Sequence, residues 1–344
     1  MDIKNKNLWQ VGAGDTERSY GELCIEFDVM AIGPGDPGPF DEGKYSYLGD
    51  IKNSIRRFYR EAQRDDTVLL RLGTGQILAV GVIVDDKPTW MEEFGDIDGW
   101  DLQHVRRVRW FPDTKKDFPA KTLGGQVRTF ANVSVPAVRN WVEQLKISKE
   151  ACERPLATLP ETSAFLNDEE LGHQLFLEGL PSEYIDNMTS VLKSIRRVAT
   201  WYWNKEKRPK GRPSEHETVS YLVMPLLFAL GWSHQTAAIE WNGIDIALFE
   251  RMPPEDVTLT CVVEAKSLDK SVFSPLGQAK NYASGNGRDY CKRLVVTDGI
   301  RYTYFKREKA DFELHAYLNI LRMRKQYPLY KCGGAVEAVI GMAR

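Results

Sequence analysis

Several features are scarce in this sequence of 344 residues, and each scarcity disfavours a class of protein. The five cysteines are odd in number and far apart, and no pair has the C-x-x-C spacing of zinc or redox sites. A disulfide framework is therefore disfavoured, and the pattern favours a reducing compartment. The longest apolar stretch, YLVMPLLFALGW, contains a proline and is too short to cross a bilayer. The sequence starts without the apolar segment of a secretory signal, so we expect a soluble, cytoplasmic protein that does not enter membranes.

Excess positive charge is also missing from the chain as a whole. The 46 Lys and Arg are balanced by 48 Asp and Glu, which excludes a globally basic nucleic-acid coat. From residue 271 onward, however, 13 Lys and Arg stand against 6 Asp and Glu, so this last fifth is where we expect a polyanionic partner. No internal repeat and no GxxxxGK[ST] string occurs, which excludes a solenoid and a built-in ATP motor.

Three regions differ in their pattern of apolar, polar and turn residues, and together they predict an α+β protein with several domains. Residues 1–145 contain short apolar runs between Gly- and Pro-rich turns, with one helical pattern in DIKNSIRRFYREAQR, and predict a small β-barrel. Residues 146–212 carry apolar residues at helical spacing and predict a helical linker region that ends in the basic run NKEKRPKGRPSE. Residues 213–344 mix helices and strands and predict a compact α/β domain.

Three charged residues stand out on two predicted strands of the last region. TLTCVVEAKSL predicts a buried strand, and the alternation of side chains along a strand places Glu264 and Lys266 on one face. Asp245 lies alone on the second face of the apolar strand in WNGIDIALFE. Two carboxylates from neighbouring strands suit Mg²⁺, which takes one or two protein carboxylates beside waters and phosphate oxygens. Because a lysine beside them can orient or deprotonate the attacking water, the pattern predicts phosphodiester hydrolysis.

The string GIDIALFE…CVVEAK resembles the PD-(D/E)XK nuclease superfamily, in the branch that includes the nuclease domains of type I restriction enzyme motor subunits. SEHETVSYLVMPLLFALGW is similar to the opening helix of that branch, with Glu217 at its acidic position. LGQAKNYA is similar to its QxxxY helix, with Gln278 and Tyr282 four residues apart on one helical face. RLVVTDGIRYTYF is similar to its closing strand pair, so the resemblance covers residues 214–306. The proline of the superfamily's name is absent before Asp245.

This resemblance implies a restriction-endonuclease-like fold and a set of roles for residues 213–344. Asp245 and Glu264 would bind Mg²⁺, for which Mn²⁺ is expected to substitute, and Lys266 would position or activate water. Glu217 and Gln278 would support the metal or the substrate backbone. Since one active site cuts one strand, a double-strand break requires a homodimer or two encounters.

The first region contains DDTVLLRLGTGQILAVGVIVD and GWDLQHVRRVRWF, which resemble the PUA-like superfamily that includes EVE and YTH domains. The resemblance covers residues 7–145 and implies a base reader that holds an extruded base against aromatic rings. The candidate rings for that role are Trp9, Tyr45, Trp90, Trp100 and Trp110. The alternative for each ring is packing in the core, where most aromatic residues of a domain this size lie.

A base reader joined to a Mg²⁺ nuclease suggests a modification-dependent DNA endonuclease of a prokaryotic restriction or defence system, acting on modified double-stranded DNA. Two alternatives stay open. One is a nuclease directed to RNA or to a special DNA structure. The other is a non-catalytic nucleic-acid-binding protein that uses the nuclease fold as a scaffold. A motor subunit on a separate chain also stays open, as does the identity of the modification.

Overall fold

The computed structural model of the protein describes residues 6–15, 17–41, 43–124, 129–204, 211–285 and 287–344. The chain divides into two compact units, Met1–Thr162 and Ser163–Arg344. Residues 205–210, which contain four of the five Lys and Arg of the basic run, lie outside the described residues. Within the described residues, we find no helix that is both long and apolar enough to cross a membrane.

The first unit is built on one curled sheet that forms a half-barrel. Its strands are β1 (Leu8–Gly12), β2 (Val29–Ile32), β3 (Thr67–Leu72), β4 (Gln76–Ile83), β5 (Thr89–Trp90), β6 (His104–Phe111), β7 (Lys116–Asp117) and β8 (Phe130–Asn132). Its helices are α1 (Gly21–Glu26), α2 (Asp50–Arg60), α3 (Pro136–Gln144) and α4 (Lys149–Glu153). The strands lie in the order β2-β6-β4-β3-β1-β8, with β5 paired to β6 and β7 to β4.

The sequence patterns that predict this unit have direct structural causes. The apolar run of β3 is buried in all but its last residue, and β3 lies inside the sheet with β1 and β4 on its two edges. The helical pattern in DIKNSIRRFYREAQR forms α2, which turns the fully buried Ile55 and Phe58 inwards. The mainly β character of this region and its single good helical pattern are therefore confirmed, whereas membership of the PUA-like superfamily stays a prediction.

The second unit contains a mixed sheet and six α-helices among its described residues. The strands are β9 (Ala237–Trp241), β10 (Ile244–Phe249), β11 (Leu259–Ala265), β12 (Arg293–Thr297), β13 (Arg301–Glu308), β14 (Asp311–Asn319), β15 (Gln326–Tyr327) and β16 (Cys332–Gly333). The helices are α5 (Asp168–Leu177), α6 (Ser182–Trp203), α7 (Glu215–Thr218), α8 (Met224–Ala229), α9 (Leu276–Ser284) and α10 (Ala335–Met342). The sheet order is β15-β16-β14-β13-β12-β11-β10-β9.

Apolar cores cover both faces of this second sheet. One core combines the sheet with α5, α6, α8 and α10, and we call its side of the sheet face A. The other contains Ala279 and Ala283 of α9, and we call its side face B. Strands β11 and β12 are parallel, so their connection must cross over the sheet, and α9 lies in that crossover.

The predicted helical linker region is divided between the two units. Helix α4 falls in the first unit, and α5 and α6 fall in the second. The apolar stripe of α6 includes Met188, Leu192 and Ile195, which are buried in the core on face A. A linker standing free in water would expose this stripe, so its burial explains why α6 belongs to a packed unit.

Candidate active site

Asp245 of β10 and Glu264 of β11 lie on neighbouring antiparallel strands. The register pairs Ile246 with Val263, and its continuation by one residue places Asp245 directly opposite Glu264. Side chains directly opposite each other project from the same face of an antiparallel pair. Glu264 is two residues from Val262 on β11, so the two side chains share a face of the sheet. Val262 packs on face B, and both carboxylates therefore project on that face.

Lys266 follows the last residue of β11 and turns its ammonium group back to the carboxylates. Its backbone N–H donates to the Thr297 carbonyl at 2.7 Å, which extends the pairing of β11 with β12 by one residue. Its Nζ atom lies 2.8 Å from Oε1 of Glu264 and 3.6 Å from Oε2 of Glu215. The lysine therefore lies between two carboxylates from different elements.

Burial and charge shift the pKa values of all three groups. Burial raises the pKa of Asp245, and the backbone hydrogen bond from Ala265 lowers it by less. Burial likewise raises the pKa of Glu264 by more than the hydrogen bond from Lys266 lowers it. Burial acts to lower the pKa of Lys266, but the carboxylates around it, Glu264 first, raise it overall. The lysine is therefore an ammonium ion here, which favours orienting water and offsetting charge over removing a proton.

The donor set fits a hard divalent cation. Glu264 is 1% exposed, and its Oε2 atom is buried without a hydrogen-bond partner. Oδ2 of Asp245 accepts the Ala265 N–H at 2.7 Å. A buried carboxylate oxygen without a partner is costly, and a cation would satisfy it. The described residues include no group of three or more His, Cys, Asp or Glu able to hold a metal, so Mg²⁺ would need waters or phosphate oxygens as further ligands.

Glu217, the predicted supporting acid, is placed in a capping box at the start of α7. Its carboxylate accepts the Ser214 N–H at 2.8 Å, while the Ser214 hydroxyl accepts the Glu217 N–H at 3.2 Å. The residue that reaches Lys266 is Glu215, two positions earlier, and sequence reasoning missed it. The signal was the S-x-x-E pattern at the helix start, which predicts that the fourth residue folds back onto the first.

Gln278 and Tyr282 lie together on α9, as their spacing predicts. The Gln278 Nε2 donates to the Tyr282 hydroxyl at 3.1 Å, and Gln278 is exposed. The Tyr282 ring lies against Gly243, where an added Cβ would be 3.6 Å from the phenol oxygen. Since Gly243 comes two residues before Asp245, the structure brings this pair to the same end of β10 as the first carboxylate.

Two further contacts fix the loop that carries Lys266. Leu268 donates its N–H to the Thr218 hydroxyl of α7 at 3.3 Å, which ties the loop to the helix that bears Glu215. Asp269 donates its N–H to Asp298, and Arg301 pairs with that same carboxylate at 2.7 Å. The turn between β12 and β13 therefore anchors the loop from the other side.

Three of the five candidate reader rings are buried in the first unit. Trp110 is fully buried and donates its Nε1–H to the Val29 carbonyl at 2.8 Å. Tyr45 is also fully buried, and its hydroxyl donates to the Gly38 carbonyl at 2.6 Å. Trp9 is 3% exposed, stacks on Phe130, and donates to Asp66 at 2.8 Å. Tyr45 and Trp110 therefore present no open face to a base, whereas Trp9, though 3% exposed, lines a cleft of about 400 Å³ with Arg57 and Glu61.

The other two candidate rings are partly exposed. Trp90 donates its Nε1–H to the Gly35 carbonyl at 2.9 Å, which fixes the ring against the loop after β2. Trp100 packs edge-on against Tyr20, with the Arg18 guanidinium 5.7 Å from its ring centroid. Of the five candidates, Trp90 and Trp100 are thus the two that are partly exposed.

Residues 9–133 are similar to one protein-family model, described as "Domain of unknown function (DUF8426)". The matched stretch runs from β1 to β8 and so coincides with the sheet of the first unit. It covers well under half of the chain and does not include the carboxylate cluster. A search of curated proteins finds no match to the chain.

Proposed function

We propose that this protein is a Mg²⁺-dependent nuclease whose active site lies at the ends of β10 and β11. One observation carries the proposal: the Asp245 and Glu264 carboxylates project side by side, one Glu264 oxygen lacks a partner, and Lys266 bonds the other. The PD-(D/E)XK resemblance, drawn from sequence, independently points to the same three residues. A non-catalytic scaffold would have no need of a buried carboxylate with an unsatisfied oxygen.

Each residue has a distinct role in this proposal. Asp245 and Glu264 would hold Mg²⁺, which would supply Lewis-acid chemistry at the phosphate. Lys266, kept as an ammonium ion between Glu264 and Glu215, orients the attacking water and offsets charge on the phosphate. Gln278 and Tyr282 contact the substrate backbone from α9, on the side where α9 meets β10.

The substrate we propose is modified double-stranded DNA, and the system is prokaryotic restriction or defence. The first unit would act as the reader that restricts cleavage to modified sites, with Trp90 and Trp100 as its accessible rings. A homodimer would place two active sites on the two strands. The basic balance of residues 271–344 supports a polyanionic substrate for the second unit.

A cleavage panel tests this function. Otherwise identical duplexes carrying ordinary bases, 5-methylcytosine, 5-hydroxymethylcytosine, N6-methyladenine or a phosphorothioate backbone are incubated with the protein and Mg²⁺, alongside one structured RNA. Selective cutting of one modified duplex is the expected result. Cutting of every duplex equally, or of RNA alone, would overturn the reader hypothesis and leave the nuclease standing.

Lys266→Ala serves as the catalytic control in this panel. We expect it to lose cleavage and to keep nucleic-acid binding, because binding draws on other surfaces of the chain. Lys292→Ala is the matched control, since this exposed lysine lies just before β12 and away from the cluster. Normal cutting by Lys266→Ala would show that the active site is elsewhere, and no cutting by the unaltered protein on any substrate would favour the non-catalytic alternative.

A further inference from the structure

A cleft of about 330 Å³ in the second unit takes no part in the candidate active site. It lies between α10 and the strands β12, β13 and β14, next to the end of α5. We propose that this cleft binds a mononucleotide, with a nucleoside monophosphate as its simplest form. This proposal is independent of the nuclease function.

The cleft and the carboxylate cluster lie on opposite faces of the sheet. Tyr304 lines the cleft and packs in the core on face A, whereas Glu264 projects on face B. Arg293, a second lining residue, pairs in register with Cys261, three residues before Glu264. Three residues of strand correspond to about 10 Å. A ligand in the cleft therefore does not compete with a substrate at the cluster.

Tyr304 supplies a polar group that lacks a partner. The residue is only 5% exposed, yet its hydroxyl makes no hydrogen bond to any residue in the described part of the chain. Gly341 approaches so closely that an added Cβ would lie 2.3 Å from the ring, which holds the ring against α10. Burial raises the pKa of Tyr304, so its hydroxyl is a neutral donor. The hydroxyl is not itself buried, because Tyr304 lines the cleft, so it can donate to an acceptor on a ligand there.

The charged side chains of the cleft are of both signs. Lys306 and His315 are exposed at the cleft, and Lys306 forms no ion pair with a described residue. Arg293 is already used, because it donates to the Ala343 carbonyl at 2.6 Å. Glu178 and Glu337 add carboxylates, of which Glu337 accepts the Gly334 N–H at 3.0 Å. The ligand must therefore carry both an anionic group and hydroxyl or amino donors.

An apolar wall completes the cleft. Val336 and Ile340 of α10 line it beside Tyr304, and Ile340 is 38% exposed. A mononucleotide satisfies every part of this lining: its phosphate meets Lys306 and His315, its ribose hydroxyls meet Glu178, and its flat base covers the apolar wall. The cleft volume is within the range typical of small-molecule sites.

Isothermal titration calorimetry on the full chain tests the site, with adenosine monophosphate as the probe. Adenosine, inorganic phosphate and phenylalanine are the comparison ligands. We expect adenosine monophosphate to bind. Its affinity should fall about tenfold in Lys306→Ala, which removes a charged hydrogen bond, and about fivefold in Tyr304→Phe, which removes a neutral one. Tyr304→Phe keeps the ring, so the fold is preserved. Lys292→Ala should bind like the unaltered protein.

Three results would overturn the proposal. The first is an absence of binding at millimolar adenosine monophosphate. The second is binding of phenylalanine or inorganic phosphate as tightly as the nucleotide. The third is unchanged nucleotide affinity in both Lys306→Ala and Tyr304→Phe. Since binding is measured without cleavage, failure here and failure of the nuclease function are separate outcomes.

Discussion

The ammonium group of Lys266 lies 2.8 Å from one carboxylate oxygen of Glu264, while the second oxygen of the same carboxylate is buried without a partner. One side of Glu264 thus faces a cation of the chain, and the other faces the position where a divalent ion would lie. Asp245, opposite it on β10, completes that position. This relationship makes metal binding measurable without any knowledge of the substrate.

Mg²⁺ should raise the melting temperature of the unaltered protein, because a ligand that binds only the folded state stabilises it. Glu264→Gln and Asp245→Asn should lose most of this increase, since each removes a charged ligand. Differential scanning fluorimetry across a Mg²⁺ and a Mn²⁺ titration measures the effect. Glu250→Gln, an exposed carboxylate at the end of β10, is the matched control. An equal Mg²⁺ response in Glu264→Gln would contradict the assignment.

Without metal, Asp245→Asn should stabilise the protein, and more so at pH 7 than at pH 4. Burial raises the pKa of Asp245, so the folded state holds its proton to higher pH than the unfolded state does. Stability is therefore lost as pH rises from the ordinary carboxylate range through the folded-state pKa. Asparagine removes that loss and still offers an oxygen to the Ala265 N–H. Thermal melts at several pH values check this. A gain in melting temperature that occurs only at pH 4 would contradict the predicted direction.

Glu215→Gln and Glu217→Gln should separate catalysis from folding on one short helix. Glu215→Gln weakens the second ion pair of Lys266, so cleavage should fall about tenfold at unchanged stability, with rescue by Glu215→Asp. Glu217→Gln retains a capping-box acceptor, while Glu217→Ala should destabilise the protein by about 1 kcal/mol. Cleavage rates and denaturant melts on all four variants measure the contrast. Equal losses of activity at both positions would assign both acids to the site.

The stability of the first unit should fall as the pH drops from about 6.5 towards 4. Burial lowers the pKa of His104 to about 4, although the hydrogen bond to the Pro34 carbonyl acts to raise it. The neutral ring bonds the Tyr59 hydroxyl through Nδ1 at 2.9 Å and Pro34 through Nε2 at 3.1 Å. The unfolded chain takes up the proton first, so this stabilisation is lost over that interval.

His104→Gln should therefore flatten the pH dependence of unfolding between pH 4 and 6.5. Urea melts at half-unit pH steps measure it, with His173→Gln, an exposed histidine of α5, as the control. A slope in His104→Gln as steep as in the unaltered protein would mean that another group titrates.

Much of the candidate site follows from local sequence. The period of two along a strand places Glu264 and Lys266 on one face, and the structure brings their charged groups together. The i, i+4 spacing of Gln278 and Tyr282 places them side by side on a helix in the same way. The helical pattern of α2 likewise turns Ile55 and Phe58 inwards. These outcomes depend only on the geometry of single elements, which the sequence determines by itself.

The tertiary structure alone decided which groups meet across elements and which are covered. The S-x-x-E pattern predicts that Glu217 caps α7, but the contact between Glu215 and Lys266 depends on how the start of α7 lies relative to β11. Tyr45 and Trp110 are as aromatic as Trp90, yet the half-barrel buries the first two and leaves the third partly exposed. The exposure of a ring depends on which distant segments fold over it, and the local spacing of residues does not predict those segments.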